Sequence, residues 1–270
     1  MNVNITISDG NSGIAKKYVD IGDAYVSYEI AGEGTPVILI HAHSVDCRMW
    51  DSQFLELAKH YKVIRYDLRG YGKTDRPVPG EKFSHAEDLH KLMYFLGIQK
   101  AHLVGLSLGA DVAVDFLALY PRQTLSLTVA SSDIRDAFVP QPVQVQNIES
   151  YKKQWLEFLL SICGPHKNEI KPQLQQMIGN WSGWQVLHIE PLQKLDPLAA
   201  VQLKNEKPDV PVLVLIGKRD SDRSIRSPKI LLKILPTVRK KYLKNAGHFS
   251  NMETPQAFNK VLMDFLSSVK

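Results

Sequence analysis

The sequence predicts an α/β fold: a mostly parallel eight-stranded sheet with helices on both faces and an inserted helical cap. Three observations carry this. Short apolar runs recur along the chain, segments of helical periodicity lie between them, and one long stretch near the middle breaks the alternation. Repeated β-α alternation buries a parallel sheet between helical layers.

The strand candidates come in order. "AYVSYEIA" (24–31) alternates like a half-exposed strand. "PVILIH" (36–41) is continuously apolar, as a strand covered on both faces should be. "KVIRYD" (62–67), "AHLVGL" (101–106), "LSLTVAS" (125–131) and "PVLVLIG" (211–217) read the same way, and "KYLK" is strand-like. Between them, "SHAEDLHKLMYFLGI" opens on Ser84 with Glu87 three residues later, a capping box. Its histidines, His85 and His90, read as a surface-type helix. A helix starts near Ser107 and ends before Pro121, and the last helix starts at Thr254-Pro255. From about Ile134 to Lys207 no buried strand is legible, and the segment is rich in Gln, Pro and Trp. Because the strand pattern resumes at Val210, residues 1–133 and 208–270 are expected to form the core and 134–207 the cap.

Composition narrows the function classes. The 270 residues are 44% hydrophobic and 23% charged, with a formal net charge of +5. That is ordinary globular composition, enough for one large core. The basic run Arg239 to Lys244 has no interleaved aromatic motif of the nucleic-acid-binding kind, so a solvated face is expected. Cys47 and Cys163 make neither a disulfide framework nor a C-x-x-C pair and are expected as buried free thiols. No signal-like or membrane-spanning apolar run is seen, so a cytoplasmic protein acting on a small molecule, with no nucleic-acid or membrane partner, is expected.

Chemistry concentrates at Gly105-Leu106-Ser107-Leu108-Gly109. The motif follows a buried strand and opens a helix, the setting in which a serine is lifted above a sheet edge as a nucleophile. A serine hydroxyl needs a base, and the base an orienting acid. His248, in a loop between a strand and the last helix, is the base candidate. Asp220, just after a buried strand, is the acid candidate, with Asp222 and Asp133 as alternatives.

With "HAHSVDCRMW", "DLRGYGKTDRP", "GLSLG" and the "GKRD…AGH" pair in this order, the chain resembles the α/β-hydrolases, with a leaning toward the esterase and enol-lactonase branch. The resemblance covers nearly everything from Ala24 onward. It implies a Ser107–His248–Asp220 triad, with the His43 and Leu108 backbone N–H groups as the oxyanion hole. Ala42 stands where the family usually has glycine. Asp67 and Arg69 are assigned to loop architecture, and Arg48 is the nearest candidate for a substrate carboxylate. Phe138, Trp155, Phe158, Met177, Trp181 and Trp184 are available in the cap to line an apolar pocket. The expected activity is hydrolysis of a small-to-medium ester, lactone or related carbonyl compound through an acyl-enzyme, with no cofactor.

Two rivals share parts of this pattern. His41-Ala42-His43 has the H-x-H spacing of a metal-dependent hydrolase. A ligand receptor, or a cofactor-free lyase, oxygenase or perhydrolase, could use the same fold. A dehalogenase or epoxide hydrolase would place aspartate, not Ser107, at the elbow, and "GLSLG" is not the dinucleotide fingerprint G-x-G-x-x-G.

Overall fold

A computed structural model describes residues 5–7, 16–78, 80–132, 145–188, 198–226 and 228–269. The strands are β1 (Ile5–Ile7), β2 (Lys16–Asp20), β3 (Tyr25–Ala31), β4 (Pro36–Ile40), β5 (Lys62–Tyr66), β6 (Ala101–Leu106), β7 (Thr124–Ala130), β8 (Val212–Gly217) and β9 (Val238–Leu243). They form one sheet in the order β1-β2-β3-β5-β4-β6-β7-β8-β9. The β1–β2, β2–β3 and β3–β5 pairings are antiparallel, and all the others are parallel. The expected mostly parallel sheet is present, with the three-residue β1 added at its antiparallel edge.

Helices α1 (Asp51–Leu57), α2 (His85–Phe95) and α3 (Leu108–Leu119) alternate with the strands up to β7. Between β7 and β8 come α4 (Ile148–Ser161), α5 (Lys167–Asn180), α6 (Trp184–Leu187) and α7 (Leu198–Glu206). Then follow α8 (Asp222–Arg226), α9 (Lys229–Ile234), α10 (Ser250–Glu253) and α11 (Pro255–Leu266). Side chains alternate across the pleat, so each strand feeds two cores. Ile38, Ile40, Leu103 and Val214 pack with α2 and α3, while Val37, Leu39, Val104 and Leu215 pack with α1 and α11. This explains the unbroken apolar runs of β4, β6 and β8.

Local chemistry sets the helix ends as expected. Ser84 Oγ accepts the Glu87 N–H at the start of α2, and Pro255 opens α11. Two expectations are corrected. Val26 to Glu29 are all buried, so β3 is not a half-exposed strand; it lies between β2 and β5, and Arg65 covers Glu29 with an ion pair of 2.6 Å. His85 is also buried, against Tyr71 and Phe83, because the loop carrying Tyr71 folds over the start of α2. Cys47 and Cys163 are buried free thiols. Among the described residues, no helix is long and apolar enough to cross a membrane.

Candidate active site

The turn from β6 to α3 is built by glycine. Ser107 takes φ 54° and ψ −119°, a positive-φ conformation that costs a non-glycine residue on the order of 1–3 kcal/mol. Surrounding contacts force it. A Cβ on Gly105 would lie 2.1 Å from the Gly109 carbonyl oxygen, and one on Gly109 would lie 2.1 Å from that of Ile40. Strand β6, helix α3 and strand β4 therefore touch backbone to backbone. The Ser107 N–H donates to Ala130 O at 2.9 Å, and Ser107 O accepts from Ala110 N and Asp111 N. Within 101–110 only Ser107 and Leu108 are partly exposed. Leu108 is the first residue of α3, so its N–H is among the helix-start amides that have no partner within the helix.

Two further strand ends supply the acid and the histidine. Asp220 follows β8, and His248 follows β9. His248 Nδ1 lies 3.0 Å from Asp220 Oδ1 and 3.3 Å from Oδ2, with the carboxylate side chain fully buried. A carboxylate only accepts, so Nδ1 carries the proton and Nε2 of the neutral ring is the basic nitrogen. The Ser221 N–H holds Asp220 Oδ1 at 2.7 Å. The His248 loop is fixed from behind: Gly247 N and Gly164 N donate to the two oxygens of buried Glu253, at 3.0 and 2.5 Å. Burial raises the Glu253 pKa above the usual carboxylate value, against the pull of those two amides. Gly217 and Gly247 meet closely too, since a Cβ on Gly217 would stand 2.2 Å from Gly247 O.

Asp222, the alternative acid, instead begins α8, points to solvent and pairs with Arg226 at 3.2 Å. Asp133 lies outside the described residues, as does Phe138. The structure thus joins Asp220 to His248 and sets Ser107 at the carboxyl end of β6, two strands from β8 in the same parallel array. Ligands of open α/β sheets bind outside the carboxyl ends of the strands.

The loop after β4 is held by side chains. The buried His41 donates from Nδ1 to Ala42 O at 2.7 Å and accepts the Leu68 N–H on Nε2 at 2.9 Å. Both ring nitrogens are used, and burial lowers its pKa, so it is a neutral structural residue. This corrects the metal reading of His41 and His43. Among the described residues, the single group of three side chains spaced to hold a metal is Asp46, Cys47 and Asp67, which includes neither histidine. His43 Nδ1 meets Tyr71 Oη at 2.6 Å, and its ring sits edge-on to Tyr71, Trp155 and Trp181. Ser44, at φ 64°, donates from Oγ to His43 O at 2.6 Å and accepts the Trp155 Nε1–H at 2.7 Å.

Of the aromatic side chains of the insertion, Trp155 and Trp181 stand beside His43. Phe158 stacks on Trp155 but is 49% exposed. Trp184 is buried against Phe83 and His188, and Met177 is core. Arg48 is committed to Asp46 by two bonds of 2.8 and 2.7 Å. It borders a cavity of about 500 Å³ whose walls include Lys16, Glu29, Arg65, Lys73 and Trp181. Asp67 and Arg69 are architectural as expected: Asp67 takes the N–H groups of Cys47 and Lys73, and Arg69 grips Asp88 through two nitrogens. The residues that sequence reasoning missed are Tyr71, Ser44 and Glu253. Tyr71, inside "DLRGYG", and Ser44, inside "HAHSVDCRMW", both lay in motifs already singled out near the site; Glu253 did not.

A strained serine turn at the end of a parallel strand, followed in chain order by an aspartate and a histidine just after later strands, is the arrangement of one fold family. The chain belongs to the α/β hydrolase fold family, whose profile matches residues 35–169. Its curated relatives include the 2-hydroxy-6-oxo-6-phenylhexa-2,4-dienoate hydrolase of Burkholderia cepacia, 26% identical over 88% of this chain and 90% of that protein. The 2-hydroxy-6-oxononadienedioate/2-hydroxy-6-oxononatrienedioate hydrolase of Comamonas testosteroni is 25% identical over 97% and 100%. Among solved structures, the enol-lactonase of Burkholderia xenovorans LB400 superposes with a TM-score of 0.77 at 22% identity, covering 93% of this chain and 100% of that one.

Proposed function

We propose that the protein is a cytoplasmic serine hydrolase that cleaves a small-to-medium ester, lactone or related carbonyl compound through an acyl-enzyme. Ser107 Oγ attacks the carbonyl carbon while His248 Nε2 takes its proton. Asp220 keeps the imidazole in that tautomer and stabilises the imidazolium. The His43 and Leu108 amides stabilise the tetrahedral oxyanion, donors typically worth about 2.7–4 kcal/mol each. His248 then protonates the leaving oxygen, and a water, deprotonated by the same nitrogen, releases the acid and restores Ser107. These steps use no cofactor. Residues 134–207 act as a cap over the core, with Trp155 and Trp181 forming the aromatic wall. The partner is a small molecule, not a nucleic acid or a membrane.

The single observation that carries this reading is the buried Asp220–His248 bond, which leaves Nε2 as the base. The relatives' names support hydrolysis at a carbonyl compound, since an enol-lactone and a 6-oxo-dienoate both carry one; the enol-lactonase favours the ester and lactone reading. A screen of p-nitrophenyl esters, lactones and 2-hydroxy-6-oxo-dienoates, with Ser107→Ala as control, tests it. Ester or lactone turnover that vanishes in the control is expected. Turnover confined to the dienoates would move the reading to carbon–carbon cleavage, and binding without turnover would make the protein a receptor.

A further inference from the structure

The peptide between Ala42 and His43 carries the proposed oxyanion donor, and its orientation is set from both ends. On one side, His41 Nδ1–H holds Ala42 O at 2.7 Å. No cis peptide occurs among the described residues, so the His43 N–H of this trans unit points opposite to that carbonyl. On the other side, Tyr71 fixes the His43 ring, and Ser44 Oγ fixes the His43 carbonyl. Ser44 sits at φ 64°, a conformation that a non-glycine residue keeps only when its surroundings over-determine it.

Trp155 completes that set, and it comes from the insertion, 111 residues away in sequence. An indole N–H only donates, so Ser44 Oγ accepts from Trp155 and must spend its own proton on His43 O. The result is a directed chain from α4 to the oxyanion loop: Trp155 Nε1–H to Ser44 Oγ–H to His43 C=O, in which each bond polarises the next. Stacking on Tyr151 and Phe158 keeps the indole in place.

We propose that Trp155 is a positioning residue for the oxyanion amide, acting through Ser44, so that the insertion takes part in catalysis as well as in enclosing substrate. The inference rests on the serine-hydrolase reading above. It separates the indole N–H from the indole ring: the ring belongs to the pocket wall, the N–H to the transition state.

The experiment compares wild type, Trp155→Phe, Ser44→Ala and the double variant. It measures kcat and KM on a p-nitrophenyl ester, and the inhibition constant of an alkylboronic acid, whose tetrahedral adduct places an oxygen in the oxyanion hole. Each single variant is expected to lower kcat by about five- to thirtyfold, the worth of one polarised hydrogen bond, with KM moving less than about twofold. Boronic acid affinity should fall by the same factor as kcat. Because both substitutions break one chain, the double variant should be no worse than the poorer single variant. Ser44→Ala reports on the same bond if Trp155→Phe folds poorly. Unchanged kcat in either variant, a loss confined to KM, or losses that multiply would overturn the inference. A fluorophosphonate labels Ser107 in the same preparations. Labelled variants with unchanged kcat overturn this inference alone, whereas unlabelled wild type overturns the hydrolase reading and the inference with it.

Discussion

At the Gly105–Gly109 elbow, backbone lies against backbone. At His41–Ser44, side chains hold the backbone. The elbow needs no polar side chain for its shape: a methyl group on Gly105 or Gly109 would overlap a carbonyl oxygen at 2.1 Å. The loop after β4 instead depends on four side chains, its own His41 and Ser44 with Tyr71 and Trp155, drawn from three separate parts of the chain. A packed elbow is either present or destroyed. A hydrogen-bonded loop can be weakened by degrees, by substitution, by protonation, or by movement of the insertion. Ala42 fits this contrast. The loop does not need the usual glycine, because its peptide is oriented by four side chains.

The largest expected effect tests the chemistry that both loops serve. Asp220→Asn should lower kcat by about 10⁴-fold, because the imidazole loses its tautomer and its counter-charge. Asp222→Asn, on an exposed side chain paired to Arg226, should stay within about twofold of wild type. Steady-state kinetics on one ester decides, and the reverse order would move the acid role.

Next comes the packed side of the contrast. Gly109→Ala should cost more than about 3 kcal/mol in urea unfolding or prevent folding altogether, since β4 cannot retreat from α3 without opening the sheet. A cost below about 1 kcal/mol would show that the elbow has slack.

Stability should be acid-sensitive through buried histidines in the loop after β4, in α2 and in β6. Burial lowers the His41 pKa, burial with the neighbouring Arg69 charge pushes His85 to about 3, and burial takes His102 to about 4. All three folded values lie below the histidine value of about 6.5 expected in the unfolded chain. As pH falls below about 6.5, the unfolded chain binds protons that the folded protein refuses, so stability is present above that pH and is lost on acidification. Each histidine adds a limiting slope of about 1.4 kcal/mol per pH unit. Urea unfolding between pH 6.5 and 5 should show the fall, and His85→Leu should remove one histidine's share of it. Flat stability over that window would contradict the buried neutral histidines.

The smallest effect is expected from restoring the family's residue. Ala42→Gly should change kcat by less than about threefold and lower stability by about 0.5–1 kcal/mol, the usual entropic cost of glycine. A large gain in kcat would mean that Ala42 strains the loop after β4 and that side chains do not fully replace glycine there.

The sequence readily shows whatever depends on local pattern. The strand at 101–106 matches β6 to the residue, and that at 36–41 matches β4 to within one, because a strand covered on both faces admits only apolar residues. Strand β2 went unseen, since "KKYVD" is mostly polar and pairs at the antiparallel edge. The elbow and the order of serine, acid and histidine were legible for the same local reason. The choice of Asp220 over Asp222 was not, because two residues separate a buried carboxylate from a solvated one. His85 was misjudged because helical periodicity treats histidine as polar, while its burial depends on Tyr71 and Phe83 folding over it. Nothing local foretells the Trp155–Ser44 bond. It exists only once the insertion and the sheet edge meet.

The central claim is that Ser107 is a nucleophile activated by His248. Intact-protein and peptide mass spectrometry after exposure to a fluorophosphonate tests it most directly. One adduct per chain is expected on the peptide carrying Ser107, with none on folded Ser107→Ala. A folded wild-type protein that stays unlabelled, or a Ser107→Ala protein that labels as wild type does, would contradict the account.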